Sequence, residues 1–89
     1  MTYRMMPVVS LATLVKELKL QHGIIVGFKQ LRNILWYEVP SNDTCVEFYY
    51  GDGTVVSDGE FDTEVLNYVI LMLGKEFPHY ESILIDVTY

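Results

Sequence analysis

The chain has 89 residues, 51% apolar, 13% aromatic and 20% charged, with a net charge of −6 and one cysteine. That length makes a single domain over residues 1–89, burying about 60–65% of its unfolded surface, and the composition excludes a disordered segment. A lone Cys45 excludes an internal disulfide framework and fits a reducing, cytoplasmic setting.

No leader or membrane span is read. After the opening MTYRMMPVV, Ser10 and Lys16 interrupt the apolar run too early for a secretory signal, and the uncharged run Val65–Gly74 is too short to cross a bilayer. Charge is distributed unevenly. Residues 1–37 hold Arg4, Lys16, Lys19, Lys29 and Arg32 against Glu17, a balance of +4. Residues 38–89 set Lys75 against eleven acids, a balance of −10. Such a split speaks of surface potential and partners rather than of fold.

In chain order, Ser10 reads as the N-cap of a first helix, with Val9 and Leu14 as a hydrophobic staple. Leu11, Leu14, Val15 and Leu18 form its apolar stripe, and Gly23 stops it. Ile24–Phe28 fits a short strand or the start of a second helix through Leu31, and the strand is preferred. Asn33–Val39 reads as a strand from its aromatic and β-branched content, ended by Pro40.

Val46, Phe48 and Tyr50 then alternate with Cys45, Glu47 and Tyr49, the period of a half-buried strand. Gly51-Asp52-Gly53 turns the chain into a return strand, Thr54–Ser57, with Phe48 opposite Val56. Asp62 reads as the N-cap of the last helix, stapled by Phe61 and Leu66 and closed by Gly74 and Pro78. From Val65 to Leu73 that helix is apolar over most of its circumference, so it needs cover on more than one side. Ser82–Tyr89 is a final strand, and Leu84 between Ile83 and Ile85 makes it interior. The expected fold is α+β: a mainly antiparallel sheet of four to five strands with two helices, in the order α-(β)-β-β-β-α-β.

No motif names a reaction. Asp58-x-Glu60-x-Asp62 spaces carboxylates like a calcium loop, but Thr63 and Val69 stand where glycine and a bidentate glutamate are required, so no metal is expected. His22 and His79 lack partners at ligand spacing, and His22 suits the C-terminal dipole of its helix. Cys45 sits among acids, which does not activate a thiol. Five cations without an RNA- or DNA-binding motif argue against direct nucleic-acid contact, and no cofactor is implied.

Glu47, Asp52, Asp58, Glu60, Asp62 and Glu64 fall within eighteen residues, with Tyr49 among them. Capping and solubility account for part of this set; the rest forms a negative patch with an aromatic anchor, suited to a basic surface on a partner protein. The expected function is a small acidic, non-enzymatic binding protein: an inhibitor, nucleic-acid mimic, immunity protein or antitoxin of the kind phages and mobile elements encode. The alternative is a homo-oligomer subunit, a dimer through Leu66, Ile70 and Leu73 or through exposed tyrosines. A small enzyme with an unrecognised site ranks third.

Overall fold

The computed structural model describes residues 7–35, 44–51 and 59–88. They run as β1 (Val8–Ser10), α1 (Leu11–His22), α2 (Phe28–Leu35), β2 (Cys45–Tyr49), α3 (Phe61–Glu76) and β3 (Ser82–Asp86). The strands make one sheet in the order β1-β3-β2, with β1 parallel and β2 antiparallel to β3. This corrects the expected fold class. The class is α+β, but with three helices and a three-stranded mixed sheet rather than two helices on four to five mainly antiparallel strands.

The last strand in sequence is the middle one in space. Ile83 and Ile85 point to one face by the pleat of β3, and both are wholly buried. The register sets Phe48 beside Ile83, and Val46 and Val9 on either side of Ile85, so this face is continuous across the sheet. All three helices supply the other half of the core: Leu11, Leu14 and Leu18 from α1, Leu31 from α2, and Val65, Val69, Met72 and Leu73 from α3. Tyr50, Val26 and Val87 complete it.

Helix α1 forms as its residues dictate. The Ala12 N–H donates to Ser10 Oγ at 3.1 Å, which caps the first turn. Gly23 ends the helix in the left-handed region, φ 68°, donating its N–H to the Lys19 carbonyl at 3.1 Å. The expected strand over Ile24–Phe28 is absent. Gly27 precedes α2 instead, its carbonyl accepting from Leu31 N–H at 2.8 Å while Gln30 Oε1 accepts the Gly27 N–H at 3.4 Å.

Asn33–Leu35, expected to begin a strand, are the last residues of α2. Phe28, Leu31 and Leu35 recur at i, i+3 and i+7, and that helical stripe outweighs local β-propensity. Trp36–Val39 lie outside the described residues. So does the return strand Thr54–Ser57; the described partner of β2 is β3.

Helix α3 also begins and ends differently from expectation. Glu60 is its N-cap residue, without a side-chain cap bond, so Asp62 and Glu64 stand in the first turn, where carboxylates suit the helix dipole. Gly74 lies within the helix, which runs on to Glu76 with Phe77 as its C-cap. Pro78 comes directly after. Gly51, where β2 leaves the sheet, passes so near Glu81 that a Cβ there meets Glu81 Cβ at 2.9 Å and Cα at 3.1 Å.

Ile85→Ala is expected to cost about 2–5 kcal/mol, whereas Leu84→Ala, on the half-exposed face, costs less than half as much in the same urea titration. Gly23→Ala meets no steric obstacle, so its cost is conformational, about 1 kcal/mol or a few degrees in Tm. Gly51→Ala, which drives a Cβ into Glu81 Cβ and Cα, exceeds it.

Candidate functional site

A pleated strand has two faces, and among the described residues the helices cover only one. The residues alternating with Val46, Phe48, Ile83 and Ile85 point away from the helices: Cys45, Glu47 and Tyr49 on β2, Ser82, Leu84 and Asp86 on β3, and Val8 on β1. Val8, Leu84 and Glu47 stand side by side across the three strands; Tyr49 lies beside Ser82, and Cys45 beside Asp86. Tyr49 is 59% exposed and Val8 57%, and Glu47 and Cys45 are exposed as well.

The charges on this face are held in place. Ser82 Oγ donates to Glu47 Oε2 at 2.7 Å, a diagonal bond across the β2–β3 pair. Asp86 Oδ1 accepts from the Thr88 N–H at 2.9 Å and the Thr88 hydroxyl at 2.6 Å. Those two donors favour the ionised carboxylate and hold the Asp86 pKa below its usual value. The face thus presents two oriented carboxylates, a projecting tyrosine and two aliphatic side chains, and among its described residues there is no cation.

The C-terminal end of β2 is tied to the helix layer. Tyr50, buried, donates its hydroxyl to the Phe77 carbonyl at 2.8 Å, and the Tyr50 N–H donates to the Glu81 carbonyl at 2.9 Å. Burial pushes the Tyr50 phenol above its ordinary value, and the neighbouring Tyr80 adds to the shift. Tyr49 is thereby placed on a strand anchored at the C-terminal end of α3.

This placement separates the acids expected to act together. Glu47 and Tyr49 share the outer sheet face. Glu60, Asp62 and Glu64 stand at the start of α3, and a sixteen-residue helix, about 24 Å long, lies between them and the Phe77 end where Tyr50 is anchored. Asp52 and Asp58 lie outside the described residues. Asp86, Leu84 and Val8 join Glu47 and Tyr49 instead; only the strand register, which sets Leu84 beside Glu47, 37 positions before it, and beside Val8, 76 positions before it, brings them together.

The expected dimer residues also divide. Leu73 is 1% exposed and belongs to the core, so it cannot meet a second copy. Leu66 and Ile70 are half-buried, packed against the core. The exposed apolar residue on that stretch is Leu71, at 54%. Of the described tyrosines only Tyr49 is exposed.

His22, the last residue of α1, stacks on Tyr68 of α3 with ring centroids 4.4 Å apart. The stack pins two helices together, which gives the imidazole a structural role. Among the described residues no three His, Cys, Asp or Glu side chains converge as a metal requires, and no helix is long and apolar enough to cross a membrane. No protein-family model, curated protein or solved structure matches the chain significantly.

The Tyr50 bond has a pH signature. The raised phenol pKa means the neutral form is favoured in the folded state, so its contribution is complete below about pH 10 and is lost as pH climbs through the raised value. Tyr50→Phe is expected to cost about 1 kcal/mol near neutrality and to flatten the alkaline limb of the stability curve, read by thermal unfolding on either side of about pH 10. Asp86 has the opposite sign. Its contribution is present above the ordinary carboxylate range and disappears as pH falls through the lowered value, and Thr88→Ala should return the Asp86 titration, followed by NMR, toward normal.

Proposed function

We propose that this chain is a small acidic, non-enzymatic protein that docks through the outer face of its sheet onto a basic surface of a partner protein, as an inhibitor, immunity protein or antitoxin does. One observation carries the proposal: Glu47, Asp86 and the exposed Tyr49 occupy one strand surface whose described residues include no lysine or arginine. Carboxylates steer the encounter with a positive partner, and an aromatic side chain flanked by aliphatic neighbours supplies contact area at low entropic cost.

Size sets the strength. Two strands of five residues and one of three, about 4.8 Å apart, offer at most roughly 15 by 17 Å of flat face, a third or less of the ~800 Å² per partner in a standard interface. Binding through this patch alone belongs to the transient class, with electrostatics setting the association rate.

The acids at the start of α3 serve a different end. They complement the helix dipole, and they add to the negative field that favours a basic partner over an acidic one.

The tagged chain should retain a basic protein from extract at about 0.1 M salt and release it at about 1 M, where the screening length drops from ~10 to ~3 Å. Titration of that partner with Glu47→Lys or Tyr49→Ala should show affinity falling tenfold or more, about 1.4 kcal/mol, while reversal at Glu64 has a smaller effect. Retention of the partner by Glu47→Lys and Tyr49→Ala at undiminished affinity sinks the proposal.

A further inference from the structure

Along α1 and α2 the balance of charge is positive. Ala12 and Val15 of α1, Val26 and Gly27 of the connection, and Phe28 of α2 line an apolar groove of about 390 Å³. Cations stand one helical turn from its lining residues. Lys16 follows Ala12 by four positions, Lys19 follows Val15 by four and Arg32 follows Phe28 by four, spacings that make side chains neighbours on a helix surface. Lys29 comes directly after Phe28.

No acid on these two helices opposes them. The one acid from residue 11 to residue 35 is Glu17, which hydrogen-bonds Gln21 and borders a different cleft, shared with Thr13 and Glu76. An apolar groove with lysines and an arginine one helical turn from its lining residues calls for an acidic surface with a protruding apolar or aromatic group. The outer sheet face of the same chain has those properties: Tyr49 projects from it, Glu47 stands two residues before it on the same strand, Asp86 lies further along the neighbouring strand beside Cys45, and its described residues include no cation.

We infer that the groove between α1 and α2 receives the outer sheet face of a second copy of this chain, with Tyr49 as the anchor and the carboxylates of Glu47 and Asp86 against Lys16, Lys19 and Arg32. The inference rests on the sheet face being the docking surface, and it names one basic partner for that face. A groove of that volume exceeds the ~150 Å³ that holds a benzene ring, so a phenol side chain has room. Groove and sheet face are different surfaces, so the contact is heterologous and propagates head to tail, into a ring if the rotation closes and a short filament if it does not. The small area makes it weak and concentration-dependent.

Sedimentation of the full chain tests this, up to about 1 mM protein, at about 0.1 M and about 1 M salt. The expected result is association at the lower salt that fades at the higher. Lys19→Glu and Glu47→Lys, each checked for unchanged circular dichroism, should each weaken association by about tenfold or more. Mixing the two variants should restore it, because each then offers the other one intact and one doubly reversed pairing. Lys16→Glu is the second groove variant and should behave as Lys19→Glu does. A monomer across the whole range, an association indifferent to the groove variants, or a mixture that stays dissociated each overturns the inference. A foreign basic partner that is lost with Glu47→Lys but unaffected by Lys19→Glu, beside a monomeric chain, removes the second copy and leaves the docking face standing.

Discussion

The structure depends on β3 lying between two strands that precede it in the chain. A central strand satisfies its backbone N–H and C=O groups on both sides, and here β1 bonds it in parallel while β2 bonds it antiparallel. Ile83 and Ile85 are therefore buried beneath the helices with a paired strand on each flank, and they hold three helices and two flanking strands to one core. Until the C-terminal segment arrives, β1 and β2 have no common neighbour among the described strands. Long-range closure of that kind is slow in folding terms, but it is what makes the sheet a rigid platform.

Elements whose own residues carry the dominant signal were legible from sequence. The stripe of α1, its Ser10 cap and its Gly23 stop are all local chemistry. So is the alternation that separates Val46 and Phe48 from Glu47 and Tyr49. β3 is the middle strand, as expected, but not through the two-sided cover that Leu84 between two isoleucines implied: Leu84 lies on the face away from the helices. Failures fall where the deciding interaction is distant or two local signals compete. Val8–Ser10 is too short to show a period, and its strand character comes from a partner more than seventy residues away. Asn33–Leu35 combine β-favouring neighbours with a helical stripe, and the buried Leu31 decides for the helix.

The candidate site was legible to the same limited degree. Glu47 and Tyr49 could be placed together on the polar side of a strand because a period of two operates within five residues. Sequence proximity then misled. Glu60, Asp62 and Glu64 lie close to Glu47 along the chain, yet a helix start and a sheet face are different surfaces, and α3 is long enough to keep its first turn from the Phe77 end. Conversely Asp86, Leu84 and Val8 are remote in sequence and adjacent in the sheet. Strand register carries that information, and no single sequence displays it.

One-sided cover also constrains what the open face can meet. Two copies stacked sheet to sheet about a two-fold axis would set one acidic face without a described cation against another, a like-charge juxtaposition that interfaces avoid. The tyrosine and aliphatic residues make the face adhesive, and the carboxylates make it repel itself. Ser82 and Thr88 strengthen that selectivity, since hydrogen bonds that orient Glu47 and ionise Asp86 also keep their charge in place as a partner approaches. The pairing proposed for this face is therefore with surfaces of opposite sign. A foreign basic protein has one, and so, on the inference drawn above, does the region of the groove between α1 and α2, with lysines a helical turn from its lining.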